Sequence, residues 1–189
     1  MDSAKNLLLI RDLTIAFTES HSQLAIKLEN QISATQRLIE ESLLLKIPII
    51  FSTTIYDSDH KVSRLWCEKF PSLQILDRES KWVNIHPALS DYPFDMITPT
   101  VYITSIYDSP VDEFLQKCQV DTIILAGATT SGSIRANAVD ALQRGYRVII
   151  PSEAVGDRNQ SLHNSTLIDL NARYADVMNL EKVLKGMKR

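Results

Sequence analysis

Hydrophobic positions in this chain fall into short unbroken runs separated by segments of helical spacing. That alternation predicts strands buried on both faces of a parallel sheet, with helices packed between them. The first run is Asn6-Leu7-Leu8-Leu9-Ile10-Arg11. Leu24, Ile26, Leu28, Ile32, Leu38, Ile39 and Leu43 then recur near a 3.6-residue period, which predicts a helix over 23–46 ending before Pro48. Residues 47–54 read as the second strand and 100–104 as the third, with a short helix over 112–119. Thr122-Ile123-Ile124-Leu125-Ala126 is another buried strand, and the small and hydroxylated residues 127–132 suit a tight turn into a helix. Ser133 sits in the first turn of that helix, which stops at Gly145 and leads to a strand over 147–150. Such a strand, turn, helix and strand make a right-handed parallel crossover. A loop at 155–158, a helix over 161–172, a strand over 175–178 and a helix over 180–188 complete the chain. The expected fold is a three-layer α/β/α sandwich with a mainly parallel sheet of about six strands, in a single domain covering 1–189.

Residues 55–98 break the rhythm, with no clean period, three prolines and both tryptophans, Trp66 and Trp82. A connection this long in a compact domain usually covers or completes a site. The tryptophans fit core or pocket wall better than chemistry.

Twenty basic and 23 acidic side chains, mixed along the chain, give a net charge of −3. No surface for nucleic acid or for an anionic membrane is expected from that balance. No 18-residue apolar run and no basic segment followed by an apolar core at the start are present, so the expected location is the cytoplasm. The two cysteines, Cys67 and Cys118, lack metal-ligand spacing and read as free thiols. Asp57-Ser58-Asp59-His60 offers one imidazole among loop acids, the pattern of a solvated turn, and neither a metal nor a cofactor is expected.

Parallel α/β sheets bind ligands beyond the carboxyl ends of their strands. Asp12 follows the first strand, where it is either a strand-end turn residue or an acid/base group. Thr129, Thr130 and Ser133 lie where free N–H groups and the helix dipole can hold an anion or a developing oxyanion. Hydroxyl residues there serve equally well as helix caps. Arg135, one turn on, suits either a substrate carboxylate or a structural pairing with Asp157 or Asp169.

The stretch GATTSGSIRANAVDALQRGYRVIIPSEAVGDR, with His163 and the run from Leu167 to Val177, resembles the isochorismatase-like cysteine hydrolases. Within them it is most similar to the N-carbamoylsarcosine and maleamate amidohydrolase branch. That resemblance implies an active site built on an Asp, Lys and Cys triad. Asp12 matches the Asp, which works as general base toward the thiol, or as acid in vinyl-ether-cleaving members. Ser133 stands at the Cys position, and Thr104 best matches the Lys, since no lysine lies between Lys81 and Lys117. His163 matches a pocket His of the amidohydrolase branch. The implied reader of this site is a small-molecule substrate, an amide, carbamoyl compound or enol ether, hydrolysed through a degenerate triad. The other reading is a non-catalytic relative that binds a small molecule or serves as an assembly subunit. Family members commonly assemble as dimers or tetramers, and a homo-dimer or homo-tetramer is expected here too.

Overall fold

The computed structural model describes residues 5–188. The strand β1 (Asn6–Arg11) is followed by one short and one long helix, α1 (Ile15–Thr18) and α2 (Glu29–Leu45), and then by β2 (Ile49–Thr54). The helices α3 (Lys61–Lys69) and α4 (Pro87–Ser90) precede β3 (Met96–Thr100), and α5 (Pro110–Lys117) precedes β4 (Thr122–Ala128). The helix α6 (Arg135–Gln143), the strands β5 (Arg147–Pro151) and β6 (Val155–Gly156), the helix α7 (Gln160–Arg173), the strand β7 (Asp176–Met178) and the helix α8 (Leu180–Met187) follow.

Among the described residues, seven strands form one sheet in the order β3-β2-β1-β4-β5-β7, with β6 beside the end of β4, and all pairings are parallel. Side chains of a strand alternate between faces, so an unbroken apolar run builds two cores at once. Leu8 and Ile10 face a core shared with Leu38 and Ile39 of α2 and Val183 of α8. Leu7 and Leu9 face a second core containing Leu115 of α5, Ala138 of α6 and Leu170 of α7. Each fully buried Leu or Ile contributes about 1.5–3 kcal/mol to this packing. The result is the three-layer sandwich, and its chain order reverses direction between β1 and β4.

Three expectations need correction. The third strand is Met96–Thr100 rather than 100–104. It is the sheet's edge, so it is only half-buried, and Pro99 within it lacks an N–H that an edge strand can do without. The β-branched stretch after Thr100 leaves the sheet as a bend. The long helix begins at Glu29, not near residue 23. Leu24, Ile26 and Leu28 are all buried, but from an irregular segment held by the Ser22 hydroxyl, which donates to the Ala16 carbonyl and accepts from the Leu24 N–H. The loop expected at 155–158 opens with the two residues of β6, which raises the strand count to seven.

Residues 55–98 contain α3, α4 and two 3-10 segments, Pro71–Leu76 and Lys81–Val83, and they fold back over the end of β1. Thr14 bridges Ile85, the Ile15 N–H donates to the Asn84 carbonyl, and the His86 N–H donates to Leu13. Trp66 and Trp82 pack, partly buried, against the α2-side core. Asp57 accepts from the Asp59 N–H and His60 caps α3, so the acidic stretch is a capping turn.

Candidate active site

The crevice between β1 and β4, where the sheet's winding reverses, is the place a doubly wound fold offers to a ligand. Asp12 enters it directly from β1 with a left-handed backbone, φ 56°, and its N–H donates to the Ser52 carbonyl of β2. Its carboxylate is held on two sides. Oδ1 accepts from the Thr54 N–H at 2.6 Å, and Oδ2 accepts from the Thr54 hydroxyl at 3.0 Å.

Across the crevice, the last residue but one of β4 is Gly127, opposite Arg11 in the ladder. This glycine has φ 123°, and a Cβ on it would stand 1.9 Å from the Arg11 carbonyl oxygen, so only glycine fits. The next residues make a wide π-type turn, Thr130–Ile134, before α6 begins. The Thr129 carbonyl closes it by accepting from the N–H groups of Gly132 and Ile134, both at 3.1 Å. The turn carries Ser133 back toward β1, and its hydroxyl lies 2.8 Å from the Ala128 carbonyl and 3.3 Å from Asp12 Oδ2. A serine hydroxyl has one proton, so it serves only one of these acceptors at a time. The shorter contact favours Ala128, with Asp12 Oδ2 as the alternative acceptor.

A third group completes the cluster. Arg11, fully buried, places Nε 3.2 Å from Asp12 Oδ2. Its terminal nitrogens donate to the Ser52 hydroxyl at 3.0 Å, the Thr54 hydroxyl at 2.8 Å and the Tyr102 carbonyl at 3.1 Å. Nε itself is close to Asp12 but not aligned for a hydrogen bond. Burial pushes the Asp12 carboxyl above its ordinary value, against the pull of Arg11, Thr54 and Ser133. Burial also draws Arg11 down, yet a guanidinium is basic enough to keep its proton, so the two form an internal ion pair in which Asp12 is the group that titrates.

The remaining expected residues divide into two sets. Thr130 and His163 meet beside the turn, with Oγ1 and Nδ1 2.8 Å apart. Burial lowers the affinity of His163 for a proton, partly offset by Asp157. Asp157, from the segment after β6, accepts from the Ser131 N–H at 2.7 Å and so ties down the turn. Arg158 spans from that segment to the Leu24 carbonyl at 2.8 Å.

Thr104 and Arg135 stand apart from Asp12. Thr104, expected at the end of the third strand, lies four residues beyond Thr100, and its hydroxyl donates to Asp140 of α6 at 2.8 Å. Its neighbour Ser105 donates its N–H to Asn137, whose amide donates to the Ser133 carbonyl at 2.7 Å. Thr104 therefore buttresses the back of the Ser133 turn. Arg135 pairs with Asp169 of α7 at 2.7 Å, one of the two structural partners its position allowed.

Arg11 is the group that sequence reasoning passed over. Its signal is present, however, as a cation directly before an acid at the end of an otherwise apolar strand, facing a second strand that supplies hydroxyls at Ser52 and Thr54.

The sequence pattern of the isochorismatase domain matches residues 6–182. The chain belongs to the isochorismatase family. Maleamate amidohydrolase of Pseudomonas putida is 30% identical over 124 residues, a stretch covering 66% of this chain and 58% of that protein. N-carbamoylsarcosine amidase of an Arthrobacter species is 27% identical over 180 residues, covering 92% of this chain and 68% of the relative. The chain thus spans only about six to seven tenths of the length of these isochorismatase-family relatives. Among solved structures, a cysteine hydrolase from Pseudomonas syringae pv. phaseolicola superposes with a TM-score of 0.92 at 19% identity, covering 100% of this chain and 94% of its own. N-carbamoylsarcosine amidase from Thermoplasma acidophilum superposes with a TM-score of 0.79 at 20% identity, covering 94% and 97%. At these identities the likeness is one of fold, and it matches the parallel sheet flanked by helices described above.

Proposed function

We propose that this isochorismatase-family protein is a hydrolase of a small amide or carbamoyl compound, with enol ethers as a further substrate class, and that residues 1–189 act as one domain. The observation that carries the reading is the convergence on Asp12 Oδ2 of the Ser133 hydroxyl at 3.3 Å and Arg11 Nε at 3.2 Å. An acid/base group, a hydroxyl and a cation share one oxygen atom. The names of the two amidase relatives support an amide carbon as the target.

In this mechanism water adds to the substrate carbonyl carbon as Asp12 takes its proton. The carbon–nitrogen bond then breaks, and Asp12 returns that proton to the leaving nitrogen, giving an acid and an amine. Ser133 orients the substrate and Arg11 steadies the carboxylate between proton transfers. Thr129, Thr130 and His163 line the turn side of the site, whereas Arg135 and Thr104 support it from behind. The two free cysteines suit a reducing, cytoplasmic setting, and apolar side chains left exposed on α7, Leu162 and Ile168, suit a homo-dimer or homo-tetramer.

A second reading draws on a specific feature. Asp12 and Ser133 expose only 2% and 6% of their surface and Arg11 none, a closed arrangement that also fits a family member that binds or assembles without turnover. The two separate in one assay. A panel of small amides, ureas and enol ethers is incubated with wild type and with Asp12→Asn. Turnover by wild type that falls by about 10²- to 10⁴-fold in the variant supports the hydrolase. No turnover in either, with ligand-induced thermal stabilisation intact, supports the non-catalytic relative.

A further inference from the structure

A cavity of about 500 Å³ lies at the end of the sheet opposite Asp12 and Ser133. It opens between α8 and the strand beginnings, so the first residues of β1, β4, β5 and β7 stand on its wall. Its lining includes the apolar side chains of Ile149, Met178 and Val183. Its rim carries Arg147, Lys182 and Lys185 against one acid, Asp176. None of the three cations is ion-paired among the described residues. The chain as a whole is net negative, so this is a local excess of positive charge beside an apolar hollow.

Gly186 adds an independent observation. It lies within α8, where glycine weakens a helix. Its backbone is not left-handed, and a Cβ on it would meet nothing within 4 Å. Neither conformation nor packing calls for glycine there. Gly186 lines the cavity, and it adds no side chain to that wall.

We propose that this cavity binds a small organic anion with an apolar body, a carboxylate of medium chain length or with an aromatic ring. The volume is within the range of small-molecule sites, roughly 300–1,000 Å³. The apolar body packs on Ile149, Met178 and Val183, and the carboxylate meets Lys182, Lys185 and Arg147 at the mouth. This site is separate from the crevice at Asp12 and stands whether or not that crevice is catalytic.

Octanoate is a suitable probe, with octan-1-ol as its uncharged counterpart, both titrated into the full chain by calorimetry and by amide chemical-shift mapping. Octanoate saturates at one per chain and shifts the amides of Val183 and Gly186. Lys182→Glu with Lys185→Glu weakens octanoate by about tenfold or more and leaves octan-1-ol unchanged. Gly186→Phe, which removes a helix glycine and so melts no lower than wild type, abolishes both. Should Gly186→Phe fail to fold, the paired lysine variant decides alone, since its changes are on the surface. Octanoate that does not saturate on wild type, or that binds both variants unchanged, overturns the assignment.

Discussion

Asp12 and Ser133 are 121 residues apart in the chain and 3.3 Å apart in space. The fold brings them together because β1 and β4 are parallel neighbours in the sheet, so both strands end at the same edge. Each is fixed before it meets the other: Asp12 by Thr54 on β2, Ser133 by the Ala128 carbonyl and by the Asn137 bond to its own carbonyl.

The buried pair of Arg11 and Asp12 gives the first prediction, because each charge is compensated mainly by the other. Arg11→Met leaves a buried carboxylate without its cation and costs about 3–5 kcal/mol at neutral pH. Combining it with Asp12→Asn removes both charges, so the double variant is more stable than Arg11→Met alone. Urea unfolding of the four proteins checks this. Additive losses in the cycle would show that the pair is not coupled.

Backbone geometry supplies the second. Gly127→Ala forces a side chain into a left-handed position against the Arg11 carbonyl, where the Cβ would stand 1.9 Å away. Strain of this type costs about 1–3 kcal/mol, and the backbone clash adds to it by pushing β1 from β4. The loss shows in thermal unfolding, and Gly145→Ala, whose added Cβ meets nothing within 4 Å, costs less.

The strands β1 and β4 were legible because burial on both faces writes an unbroken apolar run. The edge strand β3 was not, since half its side chains face water and Pro99 reads as a breaker. The helix α2 begins later than the apolar pattern predicts because Leu24, Ile26 and Leu28 recur at every second residue, the period of extended chain rather than of a helix. Asp12 and Ser133 could be named because strand ends of parallel sheets collect chemistry and the motif around Ser133 resembles a family. Arg11 closes its apolar run, and a cation in that position looks like the strand's exit into water. The hydroxyls of Ser52 and Thr54 across the ladder, with the Asp12 carboxylate and the Tyr102 carbonyl, make its burial intelligible.

Two imidazoles set a pH dependence. His86 Nδ1 accepts the Ala88 N–H at the start of α4, and His163 Nδ1 contacts the Thr130 hydroxyl. Burial lowers both from the ordinary histidine value of 6.5. A folded-state value below the unfolded one means that stability is present above pH 6.5 and is lost as pH falls through the folded values. Asp12 has the opposite sign, because its raised value favours the folded state when protonated. The informative quantity is therefore the difference between wild type and His86→Gln with His163→Gln. Melting temperatures from pH 7.5 to 5 fall less steeply in the double variant, and parallel curves would remove the histidines from the account.

The last prediction concerns what Ser133 does. A serine nucleophile needs a neighbouring base to take its proton, and here that proton already has a nearer acceptor in the Ala128 carbonyl, 2.8 Å away against 3.3 Å for Asp12. Asp12, by contrast, has an elevated proton affinity from burial and so suits acid/base work. Ser133→Ala should therefore retain turnover, reduced through poorer substrate orientation, whereas Asp12→Asn loses about 10²- to 10⁴-fold. A thiol needs less activation, so Ser133→Cys traps a covalent adduct with an activated ester that intact-mass spectrometry detects, while wild type shows none. Complete loss of activity in Ser133→Ala, together with a wild-type acyl adduct in the same spectra, would make Ser133 the nucleophile and assign Asp12 the task of accepting its proton.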